Sequence, residues 1–388
     1  MARLRRFVAA PFLAGALVLA VASPAVAHDG WHHDGDHGHG HNRAGADHVV
    51  FVQNDDPTGN TVVAYDRGDD GTLTYATSYA TGGSGGVLTG SVVDHLASQS
   101  SLVYDAEHAL LLAVNAGSNT VSVFSVDGDQ LQLRELVPSY GQFPVSIAVH
   151  DDVAYVLNAR GGGTVQGYRI TDGVLVPLDG SLRALGLDPN ATPEFTTTPG
   201  QIAFTPDGSQ LVVTTKGNGS AILVFRVRHH GYLASTPTTN AEPGTVPFAL
   251  TFDSRGRLAV AEAGTNSVAT YDLAGDGTIQ LRDRESTGQM ATCWITGIDG
   301  NLYLSNAGSG TVSQVSDGHH GSLAFVGNTT TDAGTVDSAA TPDGSYLYVQ
   351  AGKAGIVDGF RVNGDGSLSA IGSVIVPNGA GGEGIVAV

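Results

Sequence analysis

Residues 110–124 read LLLAVNAGSNTVSVF, and this pattern recurs along the whole chain of 388 residues. Each copy combines an apolar strand, a polar residue, a glycine-rich turn and a second strand that usually ends near an aromatic residue. The other six copies begin at Val49, Val153, Leu211, Leu258, Leu302 and Leu347. The shared polar position holds Asn54, Asn115, Asn158, Thr215, Glu262, Asn306 and Gln350.

A short strand and a turn precede most copies, and a glycine-containing hairpin with another strand follows, so each unit has four strands. Four-stranded units of roughly 40 to 50 residues are typical of β-propeller blades. The sequence therefore predicts an all-β, seven-bladed propeller over residues 48–388. A β-sandwich or a β-solenoid is the alternative, but neither explains seven four-stranded units.

The two ends of the chain complement each other. The copy at Val49 lacks a preceding strand, whereas residues 384–388 form a strand without a partner. We expect the C-terminal strand to become the innermost strand of the N-terminal blade, which pairs two otherwise exposed edges.

The N-terminus predicts export. Residues 1–27 contain Arg3, Arg5 and Arg6, an apolar run and a small-residue cleavage pattern, as in a signal peptide. The alternative is a retained anchor, but the apolar run is short for a membrane span. We expect a secreted monomer without membrane insertion.

Residues 28–47 form a histidine-rich segment that we predict to be disordered. One hypothesis is that it chelates Zn²⁺, Cu²⁺ or Ni²⁺, and the alternative is a solvated tail. The candidate ligands are His28, His32, His33, His37, His39 and His41. We expect the propeller itself to require no cofactor.

Charge and cysteine content exclude several classes. The formal charge is −19, and loss of the three signal-peptide arginines makes it −22. Nucleic acid is excluded as a partner because phosphate binding needs clustered Lys and Arg. The one cysteine, Cys293, excludes an internal disulfide.

Two long connections, residues 82–100 and 183–200, should cross from an outer strand to the next inner strand on the channel face. Loops on that face commonly carry function. We expect a small molecule or glycan to bind through residues just before the inner strands. These candidates are Gln142, Phe143, Gln201, Phe248, Cys293, Trp294, Asp337 and Glu383. For Cys293, an inert buried thiol is the alternative to a nucleophile.

The repeat texture, seen in LLLAVNAGSNTVSVF and TPDGSYLYVQAG, resembles the seven-bladed lactonase propellers, which include 6-phosphogluconolactonase and carboxy-muconate cyclase. The resemblance implies hydrolysis or formation of a lactone. The family's His and Arg, in stretches like PHS and PRH before inner strands, are replaced here by Pro144-Val145-Ser146, Pro199-Gly200-Gln201 and Pro247-Phe248-Ala249.

Three hypotheses follow. A lactone-acting enzyme would use relocated residues, and we select His95, Arg183 and Glu194, which should then converge at the channel mouth. A non-catalytic propeller would bind a ligand or another envelope protein through its loops. In the third hypothesis the histidine-rich segment binds metal and the propeller is its carrier.

Overall fold

The first repeat forms the middle of a four-stranded antiparallel sheet. The computed structural model describes residues 48–318 and 320–388. In it, β1 (Val49–Gln53) pairs with β2 (Thr61–Arg67), which places Val52 opposite Val63. All five residues of β1 are buried, as expected for a short apolar run with neighbours on both faces. The outer strand β3 (Leu73–Ala80) is partly exposed along its length.

The other repeats build further sheets of the same kind. Blades two and three contain β4 to β7 (Leu102–Asp105, Leu110–Asn115, Thr120–Asp127, Gln130–Pro138) and β8 to β12 (Pro144–His150, Val153–Asn158, Thr164–Thr171, Val174–Pro177, Arg183–Ala184). Blades four and five contain β13 to β16 (Pro199–Phe204, Gln210–Thr215, Ala221–Arg226, Thr238–Ala241) and β17 to β20 (Pro247–Phe252, Leu258–Glu262, Ser267–Leu273, Ile279–Ser286). Blades six and seven contain β21 to β24 (Thr292–Ile298, Asn301–Asn306, Thr311–Asp317, Leu323–Thr330) and β25 to β28 (Thr335–Ala340, Tyr346–Ala351, Ile356–Val362, Leu368–Ile375).

The described residues thus form seven sheets, and in all but the first blade the strands follow in sequential order from the inside outwards. The seven-bladed propeller is confirmed. The short strand β12 is an addition, since it pairs with β10 beside β11 in the third blade. Helical structure in the described residues is limited to α1 (Glu194–Thr197) and one 3-10 turn (His229–Gly231). No helix in this part of the chain has the length and hydrophobicity to span a bilayer.

The C-terminal strand closes the ring. β29 (Ile385–Ala387) pairs antiparallel with β1, with Val386 opposite Phe51. Backbone hydrogen bonds also join Val49 and Val388 in both directions, at 3.1 and 2.9 Å. The predicted closure is therefore confirmed, and the N-terminal blade takes its innermost strand from the other end of the chain.

Aromatic side chains fill the clefts between blades. Phe51 of the first blade and Phe124 of the second share one buried cluster. On the other side of the first blade, the hydroxyl of Tyr348 donates to the carbonyl oxygen of Gly71 at 2.7 Å. Burial of large side chains on both faces explains how the fold is held without a disulfide.

The connection between β3 and β4, residues 81–101, fills the central channel. Ser98 is fully buried there, and its hydroxyl donates to the carbonyl oxygen of Val145 in blade three at 2.7 Å. The amide side chain of Gln99 pairs with both backbone groups of Ile295 in blade six, at 2.9 and 3.0 Å. The channel is thus closed by a segment that contacts several blades.

Candidate functional site

Bulges at the start of the innermost strands turn side chains toward the channel. The pairing register shifts at Gln201 in β13, at Phe248 in β17, at Cys293 in β21 and at Asp337 in β25. A bulge leaves a residue out of the ladder and changes the direction of its side chain. Glu383 occupies the equivalent place, just before β29. Gln201, Phe248, Cys293 and Asp337 therefore lie in the bulges near the start of their innermost strands.

A cavity of about 530 Å³ lies on the channel face next to blades four, five and six. This volume is within the range of small-molecule sites. Its walls are mostly apolar and come from both long connections and from the blades. They include Val93, Phe195, Val246, Phe248 and Trp294. The rings of Phe248 and Trp294 pack with their centroids 4.9 Å apart.

Lys216 supplies the cavity's cation. Its side chain is almost completely buried, with 1% exposed, and it lines the cavity beside Asp94 and Cys293. The ammonium group donates to the carbonyl oxygen of Ala97 at 2.6 Å and lies 5.1 Å from the ring centroid of Phe248. Burial lowers the pKa of Lys216 to about 8, although Asp94 and Glu383 oppose that shift.

The ammonium group has unused donors. Ala97 is its one hydrogen-bond acceptor among the described residues. An ammonium group carries three N–H donors, so two remain for a ligand or solvent in the cavity. A buried cation with free donors is suited to a carbonyl or carboxylate oxygen.

Four buried carboxyl groups, which we call the carboxyl cluster, surround this part of the channel: Asp55, Asp94, Asp337 and Glu383. Burial raises the pKa of Asp94 to about 6, and Lys216 is the strongest influence in the opposite direction. Burial and the neighbouring Asp94 raise the pKa of Glu383 well above its usual value. Lys216 therefore favours ionisation of Asp94, whereas burial beside Asp94 favours the protonated form of Glu383.

Glu383 links the cluster to the channel-filling connection. Its Oε1 accepts hydrogen bonds from the backbone N–H of Ser98, at 3.0 Å, and from the Ser98 hydroxyl. Its Oε2 has no hydrogen-bond partner among the described residues. The backbone N–H of Glu383 donates to the Asp55 carboxyl at 2.8 Å. Burial raises the pKa values of Asp55 and Asp337 to about 7.

The structure does not bring His95, Arg183 and Glu194 together. His95 follows Asp94 directly, but its Nδ1 lies 3.3 Å from the carbonyl oxygen of Asp55, and burial lowers its pKa. Arg183 lies on β12 at the outside of blade three. Its guanidinium group donates to four backbone carbonyl groups, those of Gly180, Leu182, Leu233 and Ala234.

Glu194 has a different partner, Arg160. Its carboxylate accepts from Arg160 Nε at 2.5 Å and Nη2 at 3.1 Å, and from the backbone N–H of Thr89 at 2.7 Å. The hydrogen bonds from Arg160 lower the pKa of Glu194 to about 2. Thr89 belongs to the first long connection and Glu194 to the second. The hydrogen bond between them therefore joins the two segments that carry Val93 and Phe195 to the cavity.

The other predicted ligand-binding residues lie at different positions in the structure. Phe248, Cys293 and Trp294 line the cavity. Burial raises the pKa of Cys293, as expected for an inert thiol. Gln201 holds the channel-filling connection, since its amide accepts from Leu250 N–H at 2.6 Å and donates to Ser100 at 3.2 Å.

Gln142 and Phe143 lie elsewhere. Gln142 lines a second, polar cavity of about 310 Å³ beside Arg160, and Phe143 packs under the guanidinium group of Arg160 with 4.2 Å to the ring centroid. The proposed metal ligands His28, His32, His33, His37, His39 and His41 lie outside the described residues. Within the described residues, no His, Cys, Asp and Glu side chains are grouped as a metal site.

Lys216 was missing from the predicted site, although the repeat contains a signal for it. The position after the shared polar residue is alanine in five copies, namely Ala116, Ala159, Ala263, Ala307 and Ala351. The two exceptions are Asp55 and Lys216. Both are buried charged residues of the site, so a departure from the repeat's own pattern marks them.

Fold and site together define a class of protein, a seven-bladed propeller with an apolar cavity on the channel face and a buried lysine beside carboxyl groups. The sequence profile of the family described as "Lactonase, 7-bladed beta-propeller" matches residues 83–380. The chain belongs to this lactonase propeller family. The match includes Asp94 and Lys216, whereas Asp55 and Glu383 lie outside it.

Solved structures share the fold at low sequence identity. A Bacteroides uniformis protein assigned as a 6-phosphogluconolactonase is 20% identical, with a TM-score of 0.70 over 84% of this chain and 96% of that chain. A periplasmic gluconolactonase of Pseudomonas aeruginosa is 16% identical, with a TM-score of 0.69 over 87% and 98% of the two chains. Virginiamycin B lyase of Staphylococcus aureus is 14% identical, with a TM-score of 0.52 over 71% and 84%.

A search of curated proteins found no match to the sequence. At these identities the structural neighbours show the fold alone. The presence of both lactonases and a lyase among them means that the reaction has to be argued from the site.

Proposed function

We propose that the protein hydrolyses a small apolar lactone, or forms it in the reverse direction, in the cavity that contains Asp94 and Lys216. The observation that carries this proposal is the position of two buried ionisable side chains, the carboxyl of Asp94 and the amine of Lys216, at the wall of one apolar cavity. Paired ionisable groups with shifted pKa values are typical of sites that transfer protons. Membership of the lactonase propeller family supports the choice of reaction.

In the proposed mechanism Asp94 is the general base. Its carboxylate takes a proton from a water molecule, and the hydroxide oxygen bonds to the lactone carbonyl carbon while the C=O π electrons move to the carbonyl oxygen. The Lys216 ammonium group stabilises the resulting oxyanion. The tetrahedral intermediate then breaks its ring C–O bond, and the protonated Asp94 returns the proton to the leaving alkoxide.

The walls define the substrate class. Phe248 and Trp294 offer aromatic surface, and Val93 and Val246 add aliphatic surface. A lactone with an alkyl or aryl substituent would bury that substituent favourably. A phosphorylated sugar lactone fits poorly, because its dianion would enter an apolar cavity beside the carboxyl cluster of a chain with a formal charge of −19.

A non-catalytic binding module is the second candidate. The apolar walls, with the free donors of Lys216, would hold an apolar carboxylic acid or carbonyl compound without any reaction.

We also propose that the protein is exported after loss of residues 1–27, acts as a monomer, and carries a metal-binding histidine-rich segment. Each of these three proposals rests on the sequence and does not depend on the function of the cavity.

Hydrolysis of a lactone panel tests the proposal. We would compare alkyl- and aryl-substituted lactones with 6-phosphogluconolactone, each with and without a chelator. The proposal requires turnover of an apolar lactone that the chelator does not abolish. Saturable binding of the apolar compounds without turnover would instead support the binding module.

A further inference from the structure

We propose that Lys216 is a nucleophilic amine that forms an imine with small apolar aldehydes or ketones bound in the cavity. This activity goes beyond lactone hydrolysis and does not depend on it. Its first support is position, since the chain has two lysines and they lie in opposite environments. Lys216 is 1% exposed at the cavity wall, whereas Lys353 is exposed on a blade-seven turn.

The surroundings of Lys216 fit this chemistry. A lysine surrounded by apolar groups is neutral more often and so becomes a better nucleophile. The charged and titratable groups that act on it are Asp94, Glu383, Cys293 and Glu194, and burial outweighs them to lower its pKa to about 8. Roughly one-tenth of the side chain is then neutral at pH 7, compared with less than one-thousandth for an ordinary lysine.

The walls and Asp94 supply what the reaction needs. Phe248 and Trp294 offer surface to the apolar part of a carbonyl compound. The mostly apolar walls also offer few groups to hold the water that would hydrolyse an imine. Asp94 lines the same cavity and can carry the protons between nitrogen and oxygen.

The proposed step balances without any further reactant. The neutral Lys216 Nζ bonds to the carbonyl carbon, and the C=O π electrons move to oxygen. Asp94 takes a proton from the nitrogen and delivers it to the oxygen, which gives a carbinolamine. Asp94 then carries the remaining N–H proton of the carbinolamine to its hydroxyl, which leaves as water while the nitrogen electron pair forms the C=N bond, so amine and carbonyl compound yield imine and water.

Reductive trapping with benzaldehyde tests the inference. The purified protein is incubated at pH 7 with benzaldehyde and sodium cyanoborohydride, and the benzylated lysines are identified by peptide mass mapping. We expect Lys216 to be labelled at least about tenfold faster than Lys353, because Lys216 lies at the wall of an apolar cavity that lowers its pKa and can bind benzaldehyde, whereas Lys353 is exposed to solvent. The N-terminal amine gives a separate peptide and does not interfere.

Three variants test whether the label depends on Lys216 and on the cavity. Lys353→Arg should retain the label on Lys216, and Lys216→Arg should carry no benzyl label at this position while remaining folded by circular dichroism. Ala307→Phe, which reduces the cavity volume without altering Lys216, should slow labelling of Lys216 and leave Lys353 unchanged.

The results separate this inference from the proposed function. Labelling of Lys353 and the N-terminus with none on Lys216 would overturn imine formation, even if the protein hydrolyses lactones. Preferential labelling of Lys216 in a protein that hydrolyses no lactone would support imine formation and count against hydrolysis.

Discussion

The ammonium group of Lys216, in blade four, donates a hydrogen bond of 2.6 Å to the carbonyl oxygen of Ala97, in the connection between blades one and two. The charge of Lys216 and the position of this connection therefore depend on each other. The connection that closes the channel carries Asp94 to the cavity, and the buried lysine holds that connection in place. Substitutions of Lys216 should accordingly affect both the electrostatics of the cavity and the position of its wall.

The pH dependence of hydrolysis should be bell-shaped. We expect kcat/KM to rise as Asp94 ionises, near pH 6, and to fall as Lys216 loses its proton, near pH 8. In Lys216→Met the acidic limb should move to higher pH, because Lys216 is the main group that lowers the pKa of Asp94. A profile with no acidic limb between pH 5 and 8 would exclude Asp94 as the base.

Stability should decrease as the pH rises from about 4 to 7. The pKa of Asp337 is raised to about 7 in the folded state, so the unfolded chain releases its proton first and gains relative stability in that range. Asp337→Asn should flatten this slope, by on the order of 3 kcal/mol across the range. Urea denaturation at pH 5 and pH 8 measures it.

Asp343→Asn is the matched control for that experiment. Hydrogen bonds from Thr341 and Ser345 lower the pKa of Asp343 to about 2. The contribution of Asp343 to the free energy of unfolding is lost only as the pH falls toward that value. This substitution should therefore not change the pH dependence of stability between pH 5 and 8. An equal effect of both substitutions would show that burial of Asp337 is not the cause.

Glu194→Gln should weaken ligand binding as well as folding. Loss of the ion pair with Arg160 loosens the two long connections that supply Val93 and Phe195 to the cavity. We expect a several-fold increase in KM and a loss of stability of about 1 kcal/mol. Asp272→Asn, which removes the surface pair with Arg282, should leave KM unchanged.

Deletion of residues 384–388 should destabilise the whole propeller. It removes β29 and exposes the edge of β1, including the buried Val50 and Val52. We expect Tm to fall by roughly 10 °C or more. Deletion of residues 28–47, which precede β1, is the control and should leave Tm unchanged. Equal Tm values for both truncated proteins would contradict ring closure as a source of stability.

The sequence predicted the fold because the information is local and repeated. In LLLAVNAGSNTVSVF, apolar strands flank a glycine-rich turn, which is typical of a blade. Residues 384–388 read as a strand without a neighbouring partner in the sequence, which indicates closure of the ring. The sequence also predicted Phe248, Cys293, Trp294 and Asp337 just before inner strands, whereas they lie in the first residues of those strands, at or beside the bulges; Glu383 does precede β29.

The convergence of distant loops could not be predicted in the same way. Arg183 and Glu194 lie in one predicted loop, but β12 pairing carries Arg183 outwards and Arg160 holds Glu194. Pairing partners of this kind depend on the path of the loops in space. Lys216 was detectable in principle, because it replaces an alanine of the repeat with a charge.

Hydrolysis of an apolar lactone by Asp94→Asn, compared with Asp337→Asn, tests the central claim most directly. Both substitutions replace a buried channel carboxyl with an amide of similar size, but only Asp94 lines the cavity. We predict that Asp94→Asn lowers kcat by a hundredfold or more, roughly the contribution of a general base, whereas Asp337→Asn retains most activity. Full activity in Asp94→Asn, or equal losses in both variants, would contradict the assignment of this cavity as the catalytic site.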